Sequence, residues 1–253
     1  MLPSLHFLTG NTGQSVRWQG RAMPAGTSGR PVQAMMKPSL DGYRIGRIIG
    51  EGRAATVYLA DDLRRGGNVA LKFLKGSCGE SEAIRQGFAA ECAILSAIQH
   101  KHVVRVIEHR TGSAPCCLTM EYLGGGNLRE RMRRGIGPGQ AFELLRQAAA
   151  GLAQVHRLQV VHRDLKPENF LMRWPGEMVL IDFGVAAGRG DSAARVAPGR
   201  LVGTAAYTAP EQSQGEPPDG AADVYSLGIV FYEMLRGRRP FAATTVLEAL
   251  SQH

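Results

Sequence analysis

Three polar side chains in two short stretches could do chemistry together. Asp164 and Asn169 fall within VVHRDLKPENFLM, and a second carboxylate, Asp182, follows thirteen residues after Asn169 inside LIDFG. Each lies at the end of a short apolar run of the kind that reads as a strand. Phosphoryl transfer needs this set. One carboxylate orients an attacking hydroxyl, and one carboxylate plus one amide supply hard oxygen donors for Mg²⁺.

Such residues must be held by a folded frame, and the sequence outlines one. From Tyr43 the pattern is short and strand-like: 43–49, 56–60 and 69–74 alternate or are β-branched, with glycine-rich breaks between. Residues 81–99 carry Ile84, Phe88, Cys92, Leu95 and Ile98 at a spacing of three to four, which predicts a helix with one apolar face. Two more strands fit 103–109 and 116–121. Gly124, Gly125 and Gly126 then make a hinge-like break, after which helices are predicted over 142–158 and 222–236. The fold class is α+β, a small β-rich lobe with one helix and a larger, mainly helical lobe. Domain bounds follow: a tail over 1–39, then a domain over 40–253 with lobes of about 40–121 and about 125–253. There is no internal repeat.

A glycine-rich turn, Ile49-Gly50-Glu51-Gly52-Arg53-Ala54-Ala55-Thr56-Val57, lies between the first two strands. Glycine lets backbone N–H groups approach phosphates closely. An ordinary hairpin turn is one alternative. A dinucleotide-binding fingerprint is another, but its turn opens a helix, whereas 56–60 is β-favouring. The chain has 253 residues, 44% hydrophobic, enough for a sizeable core. Its formal charge is +8, but Arg17, Arg21, Arg30 and Lys37 stand in an N-terminal stretch with no acidic residue before Asp41. A basic tail on a moderately basic domain accounts for the charge without a nucleic-acid site. The tail is read as disordered or as following a misplaced start, with Met35 or Met36 as alternative first residues; a targeting peptide is the third option. Cys78, Cys92, Cys116 and Cys117 form no C-x-x-C pair, and adjacent strand residues Cys116 and Cys117 point apart, so a reducing cytoplasm is expected and no disulfide framework. No apolar run is long enough to span a membrane.

His162-Arg163-Asp164-Leu165-Lys166-Pro167-Glu168-Asn169, followed by Asp182-Phe183-Gly184, closely resembles the catalytic and metal-binding loops of eukaryotic-like (Hanks-type) serine/threonine protein kinases of bacterial type. The resemblance implies roles residue by residue. Asp164 orients the substrate hydroxyl, Lys166 offsets charge on the transferring phosphoryl group, and Asn169 and Asp182 ligate Mg²⁺ (or Mn²⁺). Val69-Ala70-Leu71-Lys72 resembles the strand whose lysine contacts the α- and β-phosphates, and Glu91 is placed to pair with it, with Glu82 as a weaker alternative. Ile49, Gly50, Gly52, Val57, Ala70, Leu171 and Ile181 would surround ATP, with Met120 as gatekeeper and Glu121 to Leu123 as the hinge that binds adenine. His162 and Phe183 would pack with Leu95 and Val106 as an internal apolar stack. Gly203-Thr204-Ala205-Ala206-Tyr207-Thr208-Ala209-Pro210-Glu211-Gln212 resembles the substrate-docking loop, and Asp223 a residue that braces the catalytic-loop backbone. Arg163 suggests control by activation-loop phosphorylation, with Ser192 as the acceptor and Thr204 or Thr208 as alternatives.

The implied activity is transfer of the γ-phosphoryl group of ATP to protein Ser/Thr hydroxyls, including the chain's own. Two points depart from the pattern, and a third feature bears on substrate choice. The third glycine of the turn is Ala55. The Arg129 to Arg134 cluster could disfavour basic peptides or be a solvated helix face. The resemblance stops near the expected helix G, leaving Glu211 without its usual arginine, a loss that costs about 3–5 kcal/mol for a buried carboxylate; a fragment, a frameshifted gene and a chain that compensates by dimerising are the alternatives. The alternatives are a non-catalytic kinase-fold module and a small-molecule kinase; the latter lacks K-P-E-N and A-P-E.

Overall fold

The computed structural model describes residues 38–52, 54–76, 81–112, 115–174, 176–183, 205–241, 243 and 245–253. The expectations for the tail, for Arg53 and Cys78, and for 184–204, including Ser192, Gly203 and Thr204, lie outside them. The described residues fall into two compact units, one of residues up to Arg85 with Ile107–Glu121, the other of Gln86–Val106 with Tyr122–His253.

The first unit is built on a five-stranded sheet of β1 (Tyr43–Glu51), β2 (Ala55–Asp62), β3 (Asn68–Leu74), β4 (Val106–Arg110) and β5 (Cys117–Glu121) in the order β1-β2-β3-β5-β4. β2 pairs antiparallel with β3 from Ala55↔Leu74 to Asp61↔Asn68, and β3 with β5 from Val69↔Glu121 to Phe73↔Cys117, both without a slip. Directly opposed residues share a face, and successive ones alternate. The register therefore sorts this sheet in two. Tyr58, Ala60, Val69, Leu71, Phe73 and Cys117 share the face that packs with Leu40 and Tyr43 into a core cluster. Val57, Leu59, Ala70, Lys72, Leu118 and Met120 occupy the other. Asp62 turns the chain between β2 and β3 by accepting the amides of Arg64 and Arg65, while Gly66 and Gly67 supply left-handed φ values of 76° and 84°.

Helix α1 (Glu82–Ala97) buries Phe88, Glu91, Cys92 and Leu95, one stripe at helical spacing. The strand expected over 103–109 starts later, at Val106. Val103 and Val104 are β-branched as expected, but they pair elsewhere, with Leu180: Leu180 donates to the His102 carbonyl at 2.9 Å and Val104 to the Leu180 carbonyl at 3.0 Å.

The second unit carries α2 (Leu128–Arg133), α3 (Pro138–Arg157), the antiparallel pair β6 (Phe170–Trp174) and β7 (Glu177–Leu180), then α4 (Pro210–Gln214), α5 (Gly220–Arg236) and α6 (Val246–Gln252). Asn127 and Glu130 close a reciprocal capping box on α2. α3 starts earlier than the predicted residue 142 because Pro138 sits in its first turn, where its missing N–H costs nothing. Its Ala141, Leu144, Ala148, Leu152 and Val155 form the buried stripe. Gly151 lets α3 lie against the chain before β4, since a Cβ there would stand 2.8 Å from the His102 carbonyl oxygen. The Gly124–Gly126 break is not loose. Gly125 donates to the Met172 carbonyl at 2.9 Å, Met172 donates back to Gly126, and a Cβ on Gly125 would sit 2.6 Å from that same oxygen. Among the described residues no helix is long and apolar enough to cross a membrane.

Candidate active site

The loop between α3 and β6 carries Asp164, Lys166 and Asn169. The Lys166 ammonium donates to Asp164 Oδ2 at 2.7 Å, and Asn169 Nδ2 donates to the Asp164 carbonyl at 2.8 Å and to Oδ2 at 3.3 Å. A single 3₁₀ turn, Pro167–Asn169, makes this possible by folding Asn169 back on Asp164. The lysine and the amide thus set the orientation of the carboxylate. Asn169 is 5% exposed, and its carbonyl accepts the amide of Ile181 at 2.9 Å, which ties the residue before Asp182 to it. Asp182 itself is exposed, with φ 63°. A non-glycine residue held in the left-handed region marks strain that its surroundings maintain, and such residues concentrate at functional sites. The exposed carboxylate of Asp182 and the tethered amide of Asn169 are oxygen donors of the type that suits Mg²⁺, which takes one or two protein oxygens and fills its other positions with water and phosphate. No group of three or more His, Cys, Asp or Glu suited to a metal occurs among the described residues, so a larger all-protein cage is not formed by them.

Arg163 is the second strained residue, at φ 68° and 7% exposed. The buried Asp223 of α5 accepts the amides of His162 and Arg163, each at 2.8 Å, and so braces the loop as the sequence suggested. His156 also reaches Asp223 Oδ2, at 2.8 Å. His162 is fully buried, with Nε2 3.1 Å from the Ile181 carbonyl oxygen and its ring centroid 4.7 Å from that of Phe183. That is the packing role the sequence suggested. Leu95 is buried and Val106 half-buried. Leu171 and Ile181 are half-buried, Leu171 opposite Val179 in the β6–β7 ladder.

In the first unit the turn predicted to cradle phosphates joins β1 to β2. Gly52 donates to the Ala55 carbonyl at 2.9 Å, and Gly50 stands opposite Val57. Ile49 and Gly50 are half-buried and Gly52 is exposed. Val57, Ala70, Lys72 and Met120 lie on the sheet face away from the core, brought together by register alone, since Val57 opposes Lys72 and Ala70 opposes Met120. Glu121 ends β5, and Leu123 is buried two residues on. Glu91 is 4% exposed on the buried stripe of α1, whereas Glu82, the weaker candidate, is exposed and pairs with Arg85.

The segment expected to dock substrate has partners that the sequence did not disclose. Arg129 is not on a solvated face. It donates to Glu168 at 2.9 Å, to Glu233 of α5 at 2.7 Å and to the Tyr207 hydroxyl, and Tyr207 donates to Glu233 at 2.6 Å. Burial, and then the Glu233 carboxylate, push the Tyr207 hydroxyl well above its usual range. Thr208 is 2% exposed, which removes it as a phosphate acceptor in this state. Glu211 is only half-buried, so the cost expected for a buried, unmatched carboxylate does not arise. His156 and Arg129 were not singled out for these roles because their partners lie far off in sequence. A polar residue at the end of an apolar stripe was the only available signal for His156.

A family model described as the protein kinase domain matches residues 43–253. A serine/threonine-protein kinase PknA of Corynebacterium glutamicum is 36% identical over 222 residues, 83% of this chain and 46% of that protein. A serine/threonine-protein kinase pkn2 of Myxococcus xanthus is 38% identical over 85% of this chain and 27% of its own length. A serine/threonine-protein kinase PknB of Mycobacterium leprae is 33% identical over 84% and 35%. The chain thus spans less than half the length of these relatives.

Proposed function

Because the chain belongs to the protein kinase family, with bacterial serine/threonine kinases as its relatives, we propose that it transfers the γ-phosphoryl group of ATP to serine or threonine hydroxyls of proteins, itself included. The observation that carries this reading is the Asp164 carboxylate, oriented by Lys166 at 2.7 Å and by Asn169. Asp164 orients the acceptor hydroxyl and takes its proton. Lys166 offsets the charge that develops on the transferring group. Asn169 and Asp182 would hold Mg²⁺, which would supply charge neutralisation on the phosphates when bound. In the first unit Lys72, with the turn at Gly50 and Gly52, serves the α- and β-phosphates; Glu91 is the acid that the family resemblance assigns to that lysine. Val57, Ala70 and Met120 are the apolar residues of the first unit proposed to serve adenine, and the family resemblance adds Leu171 and the backbone of Glu121 to Leu123 to that role. Most of the work is positioning and electrostatic stabilisation, so disturbing a holding residue costs rate without changing the chemistry. Among the described residues Cys92, Cys116 and Cys117 form no disulfide, which suits a reducing cytoplasm.

The test is phosphate transfer from labelled ATP with Mg²⁺ to the chain and to a generic protein acceptor, beside Asp164→Asn. Incorporation on Ser/Thr that Asp164→Asn abolishes is the expected result. ATP binding with no transfer by the unaltered chain would replace this reading with a non-catalytic nucleotide-binding module.

A further inference from the structure

The peptide group between Arg163 and Asp164 leads directly into the Cα of the proposed catalytic acid. It is planar, so fixing its carbonyl fixes its N–H and the start of Asp164 together. It is also next to strain, because Arg163 is held at φ 68°. On the near side Asp223 holds the Arg163 amide at 2.8 Å. On the far side the Arg163 carbonyl accepts Nε2 of Gln212 at 3.1 Å. Gln212 is 4% exposed and sits in the first turn of α4. Its other amide atom, Oε1, accepts the Ala209 N–H at 3.2 Å. One buried side chain therefore joins the segment 205–209 to the peptide plane preceding Asp164. The N–H of that plane points to His162 Nδ1 at 3.3 Å, too long to set the orientation alone.

We infer that Gln212 is a positioning residue, which sets the Arg163–Asp164 peptide plane and makes the aim of Asp164 depend on the docked state of residues 205–209. The inference rests on the phosphotransfer reading above. Its chemistry requires an amide: one donor for Arg163, one acceptor for Ala209. Methionine has nearly the same length and can do neither. Glutamate keeps the acceptor and loses the donor.

The experiment compares the unaltered chain with Gln212→Met and Gln212→Glu in phosphate transfer and in amide hydrogen exchange. With either variant folded, kcat should fall by about tenfold or more with KM for ATP unchanged. The Asp164 amide should exchange faster in both. The Ala209 amide should lose protection in Gln212→Met and keep it in Gln212→Glu. Unchanged Asp164 exchange, or kcat tracking only the folded fraction, would overturn the inference. If the unaltered chain transfers no phosphate, the functional reading falls, while the exchange data still decide whether Gln212 holds the plane.

Discussion

Arg129 shows how much one side chain can hold. Its guanidinium meets two carboxylates and a phenol that come from residues 168, 233 and 207. The planar five-donor fork of arginine reaches three acceptors set apart from one another, a spread that the compact ammonium of lysine does not cover. Glu233 has a side-chain exposure of 8%, so losing Arg129 would leave a buried carboxylate with Tyr207 alone. Removing one partner of a buried pair costs about 3–5 kcal/mol. Arg129→Ala should therefore lower the denaturant midpoint strongly, Arg129→Lys should recover little of it, and Glu233→Gln on the Arg129→Ala background should recover part. A double-mutant cycle with no coupling would show that the network contributes nothing. Sequence could not reveal this network, since an arginine in a basic cluster looks solvated until distant partners are placed. Asp164, Asn169 and Asp182 were legible because their spacing is local and their chemistry restrictive.

Elements were legible wherever one periodicity decided them, as on α1 and α3, and less so where backbones meet. Nothing in the sequence distinguished Gly151, at a close approach, from Gly228, which faces open space. Both lie inside helices, where Gly→Ala gains roughly 0.5–1 kcal/mol from propensity. At Gly228 that gain should appear in full. At Gly151 the new methyl would stand 2.8 Å from a backbone oxygen that cannot swing away. Such overpacking costs about 1–3 kcal/mol, which exceeds the gain. Thermal unfolding should thus show Gly228→Ala raised and Gly151→Ala lowered. Equal shifts would mean that α3 does not lie as close to His102 as described. The same reasoning explains the late start of β4. Val103 and Val104 have strand character, but that character is spent on Leu180, a pairing that only the folded chain defines.

Over the whole molecule, burial of titratable groups fixes the pH range in which the fold is most stable. Burial pushes the Cys117 thiol up to about 11 from an ordinary 9.0, and raises the hydroxyls of Tyr207 and Tyr225. Burial likewise lowers His102, His100 and His253 below the usual 6.5. The signs follow from proton counts. Above about pH 9 the unfolded chain releases the Cys117 proton while the folded chain keeps it, so stability falls as pH rises from 9 towards 11. Below about pH 6.5 the unfolded histidines bind protons that the folded ones refuse, so stability falls again. The maximum belongs between these limits. A raised thiol of this size corresponds to roughly 2–3 kcal/mol lost across the alkaline limb at 1.36 kcal/mol per unit. Replacing Cys117 with alanine should flatten that limb while leaving the acidic limb as it was. The check is the guanidinium midpoint from pH 5.5 to 10.5 for both proteins. An alkaline limb of the same slope in Cys117→Ala would assign the loss to the tyrosines instead. Slow alkylation of Cys117 at pH 8 in the native state, becoming fast only on unfolding, should accompany the first outcome.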